Sequence, residues 1–124
     1  MTASLGAFGE SFAVGHLTRL GYRILERNVR YRTGELDIVA ADGDDLVFVE
    51  VKCRRSGKYG SPESSITPRR FARLAQTIEE YLMRKELHPP SYRVDVVSIE
   101  VGSSGRVTRC EVLRGVEPPT SWAG

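Results

Sequence analysis

The chain has 124 residues, enough for one domain with a single core and too short for two ordinary ones. It is 40% hydrophobic and 27% charged with a net charge of +2, an ordinary globular composition. It holds no apolar run near the ~20 residues of a membrane span and no signal-peptide pattern in "MTASLGAFGE". The two cysteines, Cys53 and Cys110, are far apart and form no CxxC spacing, so neither a disulfide framework nor a zinc site is expected. A reducing, cytoplasmic location is the expectation that follows.

In chain order, the first element is a helix from about Ala3 to Leu20. Phe8, Phe12, Ala13, Leu17 and Leu20 form its apolar arc, and Gly21 is its stop. Gly6, Gly9 and Gly15 lower its helix propensity and are tolerated if it packs closely on a neighbour. "YRILERNVRY" reads as a strand. "GELDIVAADGDDLVFVEVK" reads as two strands around a turn at "DGDD". "SGKYGSPESSITP" is a loop. Thr67 is a natural N-cap with Pro68 at the first helical position, and Phe71, Leu74, Ala75, Ile78 and Leu82 follow at helical spacing up to "HPP". "SYRVDVVSIEV" and "VTRCEVL" are two further strands. The order α-β-β-β-α-β-β gives an α/β domain with a mixed sheet and flanking helices over residues 1–116, followed by a loosely ordered tail, 117–124.

The hairpin raises a chemical question. Residues two apart on a strand share a face. Glu35 and Asp37 then point one way, and Leu36, Ile38 and Ala40 the other. A turn at Asp42-Gly43 pairs Asp37 with Phe48, whereas a turn at Gly43-Asp44 pairs Asp37 with Glu50. Either register puts Glu35, Asp37, Glu50 and Lys52 on one face. That face is either the solvent side of the sheet or a site. Because "LVFVEVK" is apolar on both faces up to Glu50, the charges gather at one end of a largely buried pair. Adjacent carboxylates repel, and desolvation adds to the cost. A divalent cation such as Mg²⁺ relieves it.

Charge is uneven elsewhere too. Residues 52–73 hold Lys52, Arg54, Arg55, Lys58, Arg69, Arg70 and Arg73 against Glu63 alone, while the rest of the chain is net acidic. Such a segment is either a solvated loop or the footprint of an anionic partner. Tyr59, among these residues, either packs or stacks on a base.

The stretch "GELDIVAADGDDLVFVEVKCRR" resembles the core motif of the PD-(D/E)XK nuclease superfamily, with its restriction-endonuclease-like fold. Together with "GAFGE", "GYRILERNVR" and "YRVDVVSIE" it resembles, more closely, the small bacterial YraN-like family of predicted endonuclease-like proteins. Archaeal Holliday junction resolvases are more distant relatives. The resemblance implies that Asp37 and Glu50 are the motif acids, Lys52 the motif lysine and Glu10 the helical glutamate of resolvase-like members. Glu10 also projects beside Ala13, Val14 and Leu17, either inside the apolar arc or at its edge reaching water. The resemblance further implies Mg²⁺ or Mn²⁺ on Asp37, Glu50 and Glu10, DNA as the partner, and a homodimer. Glu35 has no fixed superfamily role and is an auxiliary acid or a partner for Lys52. Leu36 stands where many members have proline. Arg54, Arg55 and Lys58, with Arg69, Arg70 and Arg73 in the next helix, would track the nucleic-acid backbone. The expected function is a metal-dependent DNA endonuclease. The alternatives are a non-cleaving nucleic-acid-binding module with the same fold and a protein-interaction adaptor.

Overall fold

The computed structural model describes residues 4–55 and 66–117. Its elements are α1 (Leu5–Arg19), β1 (Arg23–Tyr31), β2 (Gly34–Asp42), β3 (Asp45–Arg55), α2 (Pro68–Arg84), β4 (Tyr92–Val101) and β5 (Val107–Leu113). This is the order read from the sequence. The strands form one sheet in the order β1-β2-β3-β4-β5, antiparallel throughout except for the parallel pair β3–β4. A parallel neighbour needs a crossover, and α2 supplies it.

The two helices cover opposite faces of the sheet. Ala13 and Leu17 of α1 pack with Ile38, Ala40, Val47, Val49, Val97, Ile99 and Val101. Leu74, Ile78, Tyr81 and Leu82 of α2 pack with Leu36, Val39, Phe48 and Val94. The central strand β3 is therefore buried on both sides, as its unbroken apolar run requires.

Local chemistry fixes the helix positions. Ser4 caps α1 by accepting the Ala7 N–H, and Thr67 caps α2 by accepting the Arg70 N–H, with Pro68 at the first helical position. Only one of the three α1 glycines is explained by close approach. A Cβ on Gly9 would lie 2.5 Å from Cys53 Cβ, so Gly9 lets α1 sit directly on β3. Among the described residues, a Cβ on Gly6 would come no nearer than 4.0 Å to Ser4 Oγ, and one on Gly15 no nearer than 3.8 Å to Arg19 Nη1.

The β2–β3 hairpin turns at Gly43-Asp44, with Asp42 opposite Asp45 and Gly43 at φ +60°. That is the second of the two registers considered. Glu35, Asp37 and Glu50 line one cavity, but Leu36 does not share a face with Ile38 and Ala40 as strict alternation predicts, because alternation breaks at Asp37. Leu36 joins the α2 cluster, whereas Ile38 joins the α1 cluster. Between the pairs Arg27↔Ile38 and Val29↔Leu36 stands Asn28, held at φ +53°. This left-handed residue falls opposite Asp37, where the alternation of β2 fails.

A polar network centred on Asp95, which stands opposite Val49 in the β3–β4 ladder, ties β4 to the hairpin turn. Asp95 is fully buried and accepts hydrogen bonds from Tyr22 Oη (2.6 Å), Arg93 and the Gly115 N–H. Arg93 also reaches Asp42 and Asp45 beside the hairpin turn. The tail beyond Glu117 lies outside the described residues.

Candidate active site

The sequence places Glu50, Lys52 and Arg54 at alternate positions of β3, on the face that carries α2. Moving along β3 from Phe48 to Glu50 follows α2 from Tyr81 back to Arg70. Glu50 therefore lies at the middle of β3, beneath the first turn of α2. An anionic side chain is well placed beside a helix N-terminus.

Glu50 is 4% exposed. Its Oε1 accepts from Arg70 Nη2 (3.1 Å) and Nε (3.3 Å). Burial, and then the negative charge of Asp37, push its carboxyl up to about 7. Arg70 and Lys52 act in the opposite sense without cancelling this. Lys52 is half-buried. Burial and then the Arg70 charge lower its pKa, while Glu50 and Asp37 partly restore it.

Asp37 sits where the regular β2–β3 ladder ends, one residue before the pair Ile38↔Val49. Its Oδ2 accepts the Val51 N–H at 2.8 Å, so the side chain bonds to β3 where the backbone ladder stops. Two cavities meet at Asp37. The one on the α2 side, about 210 Å³, is lined by Gly34, Glu35, Asp37, Glu50, Arg70, Arg73, Leu74 and Thr77. The other, beside the start of α1, includes Glu10, Ser11, Arg27, Arg30, Glu35 and Asp37.

The structure thus joins Asp37 to Glu50 in one cavity and Asp37 to Glu10 in the other. Among the described residues, no three Asp, Glu, His or Cys side chains converge as a metal cluster. Glu10 is buried in the α1 arc, as its helical projection suggested, and it pairs with Arg27 at 3.3 Å. Glu35 is exposed and pairs with Arg30 at 3.6 Å, so its described ion-pair partner is not Lys52.

The basic residues divide. Arg70 and Arg73 line the Glu50 cavity. Arg54 stands opposite Glu100 on β4, and Arg55 and Arg69 are exposed. Lys58 and Tyr59 lie outside the described residues. The counter-ions Arg27 and Arg30 were not read as part of the site from the sequence. Arg70 was read only as a backbone contact. No spacing pattern marks these pairs, because fold alone brings together residues 17 or 20 positions apart.

A cation fits the α2-side pair by the chemistry of its donors. Among the described residues, the Val51 N–H takes Oδ2 of Asp37 and Arg70 takes Oε1 of Glu50, which leaves Asp37 Oδ1 and Glu50 Oε2 to serve as donors. Two carboxylates and remaining positions for water or phosphate suit Mg²⁺ or Mn²⁺.

Comparison with known proteins agrees with the motif reading. The profile of a family described as "Uncharacterised protein family UPF0102" matches residues 9–99. A UPF0102 protein of Symbiobacterium thermophilum is 46% identical over 114 residues, which cover 92% of this chain and 96% of that one. One from Syntrophus aciditrophicus is 46% identical, covering 92% and 90%. One from Mycolicibacterium vanbaalenii is 40% identical, covering 92% and 93%. The chain belongs to the UPF0102 family, the YraN-like group that its motifs resemble.

Proposed function

We propose that the chain is a divalent-cation-dependent phosphodiesterase acting on DNA. The observation that carries this reading is the buried Glu50 beside Asp37 in a cavity edged by Arg70 and Arg73. A buried carboxylate next to a second one is costly for folding and useful for binding a cation. Asp37 and Glu50 would hold Mg²⁺ or Mn²⁺, with Glu10 assisting from the α1 side of Asp37. The bound cation supplies Lewis-acid polarisation of a phosphoryl oxygen.

The remaining roles belong to the chain's own groups. Lys52, on the same face as Glu50, orients the attacking water and offsets charge that develops on the phosphoryl group. Its lowered pKa makes giving up a proton less costly than for an exposed lysine. Arg73 and Arg54, together with exposed Arg55 and Arg69, hold the phosphate backbone on either side. The non-cleaving alternative draws on one observation, the occupation of Glu50 Oε1 by Arg70.

A cleavage test on duplex, nicked, flapped and four-way DNA with Mn²⁺ separates the two readings. Breaks on at least one substrate, abolished by chelator, support the enzyme. Intact DNA throughout, with salt-sensitive binding retained, supports the binding module.

A further inference from the structure

Arg70 is a half-exposed side chain whose guanidinium is committed to a buried carboxylate. Its side chain is 50% exposed and that of Glu50 is 5% exposed. Both Nε and Nη2 converge on the one oxygen Oε1. Arg70 therefore reaches inward to Glu50 while half of its side chain stays exposed. Its backbone is fixed by the cap, since its own N–H is the one that Thr67 Oγ1 accepts. The side chain can then move while α2 stays in place.

Two cations cannot both neutralise Glu50 at close range without repelling one another. A guanidinium released at the mouth of this cavity would face whatever anion is bound there. Its planar fork matches two phosphate oxygens, which a lysine ammonium does not.

Building on the proposed phosphodiesterase site, we propose that Arg70 is an exchangeable counter-ion. It pairs with Glu50 when no divalent cation is bound, and transfers to a phosphodiester oxygen of the substrate when a cation takes the carboxylate. Cation and phosphodiester binding are thereby coupled through this chain's own arginine, and the coupling is reciprocal. Arg73 lies one turn further along α2 and lines the same cavity. Its side chain packs beside Gly34, and among the described ion pairs Glu50 is held by Arg70 and not by Arg73, so Arg73 carries the same charge without the exchange. That difference separates a specific exchange from general repulsion between the arginines and a cation.

The test uses Mg²⁺ and a short single-stranded oligonucleotide with the full chain at pH 8.5, where protons compete little for Glu50. The first readout is the ¹³C resonance of Arg70 Cζ in arginine-labelled wild type. Mg²⁺ should shift it, and the oligonucleotide should shift it further only when Mg²⁺ is present. The second is Mg²⁺ affinity by calorimetry. Arg70→Gln should bind Mg²⁺ several-fold tighter than wild type, and tighter than Arg73→Gln. Its gain in oligonucleotide affinity on adding Mg²⁺ should be smaller than that of wild type. An Arg70 Cζ resonance unmoved by saturating Mg²⁺, or equal gains in Arg70→Gln and Arg73→Gln, overturns the exchange while leaving the cation site standing. Mg²⁺ binding that is absent from wild type, or unaffected by Asp37→Asn, overturns the cation site and the exchange with it.

Discussion

Replacing Glu50 with Gln tests whether the site is held at a cost to the fold. The carboxyl is raised from 4.5 to about 7, chiefly by burial and then by Asp37. Below pH 4.5 it is protonated in the folded and unfolded chains alike, and Gln is nearly equivalent to it. Between 4.5 and 7 the unfolded chain releases this proton while the folded chain keeps it. The wild type therefore loses stability relative to Glu50→Gln as pH rises through that window, and the difference levels off above about 7. Each pKa unit is about 1.4 kcal/mol, so the full difference is on the order of 3 kcal/mol. For a domain of this size that corresponds to roughly 10 °C in melting temperature. The assay is urea or thermal unfolding of both proteins from pH 4 to 8.5 with chelator present. The variant should gain steadily on the wild type between pH 4.5 and 7. Curves that run parallel across this window would show that Glu50 is not a buried acid next to Asp37.

Three other outcomes test the scaffold and the surface. Gly9→Val should destabilise the protein by about 1–3 kcal/mol in urea unfolding, because even its Cβ would meet Cys53 Cβ at 2.5 Å; Gly15→Ala, whose Cβ has no such neighbour, should cost far less. Tyr22→Phe removes one of the hydrogen bonds to buried Asp95 and should cost about 1–2 kcal/mol in the same measurement, with no effect on cation binding. Changing Arg54 and Arg55 to Ala should weaken DNA binding and reduce the slope of log affinity against log salt, and an unchanged slope would remove both from the interface.

Much of the architecture could be read from local chemistry. The Thr67-Pro68 start of α2, the apolar β3 run and the element order follow from capping, periodicity and strand burial, and the structure has all of them. The burial of Glu10 was foreshadowed by its angle on the α1 helix. The facing of Asp37 was not, because strict alternation fails between Leu36 and Ile38, opposite Asn28 with its positive φ. No local pattern announces that left-handed residue. The ion pairs Arg70–Glu50, Arg27–Glu10 and Arg30–Glu35 were equally hidden. Two of them join side chains from different layers of the fold. Arg30–Glu35 joins neighbouring strands, where only the β1–β2 register could reveal it. The buried Tyr22–Asp95–Arg93 network is of the same kind, linking the end of α1 to β4 across 73 positions.

The central claim is that Asp37, Glu50 and Lys52 form a phosphodiester-cleaving site. The most direct measurement is Mn²⁺-dependent strand breakage by wild type, Asp37→Asn and Lys52→Ala, purified in parallel and assayed on one substrate. The account predicts cleavage by wild type that chelator stops. It predicts a loss of orders of magnitude in both variants, with Mn²⁺ binding weakened in Asp37→Asn and retained in Lys52→Ala. Equal breakage by all three proteins would contradict it, as would its absence from wild type on every DNA structure tested.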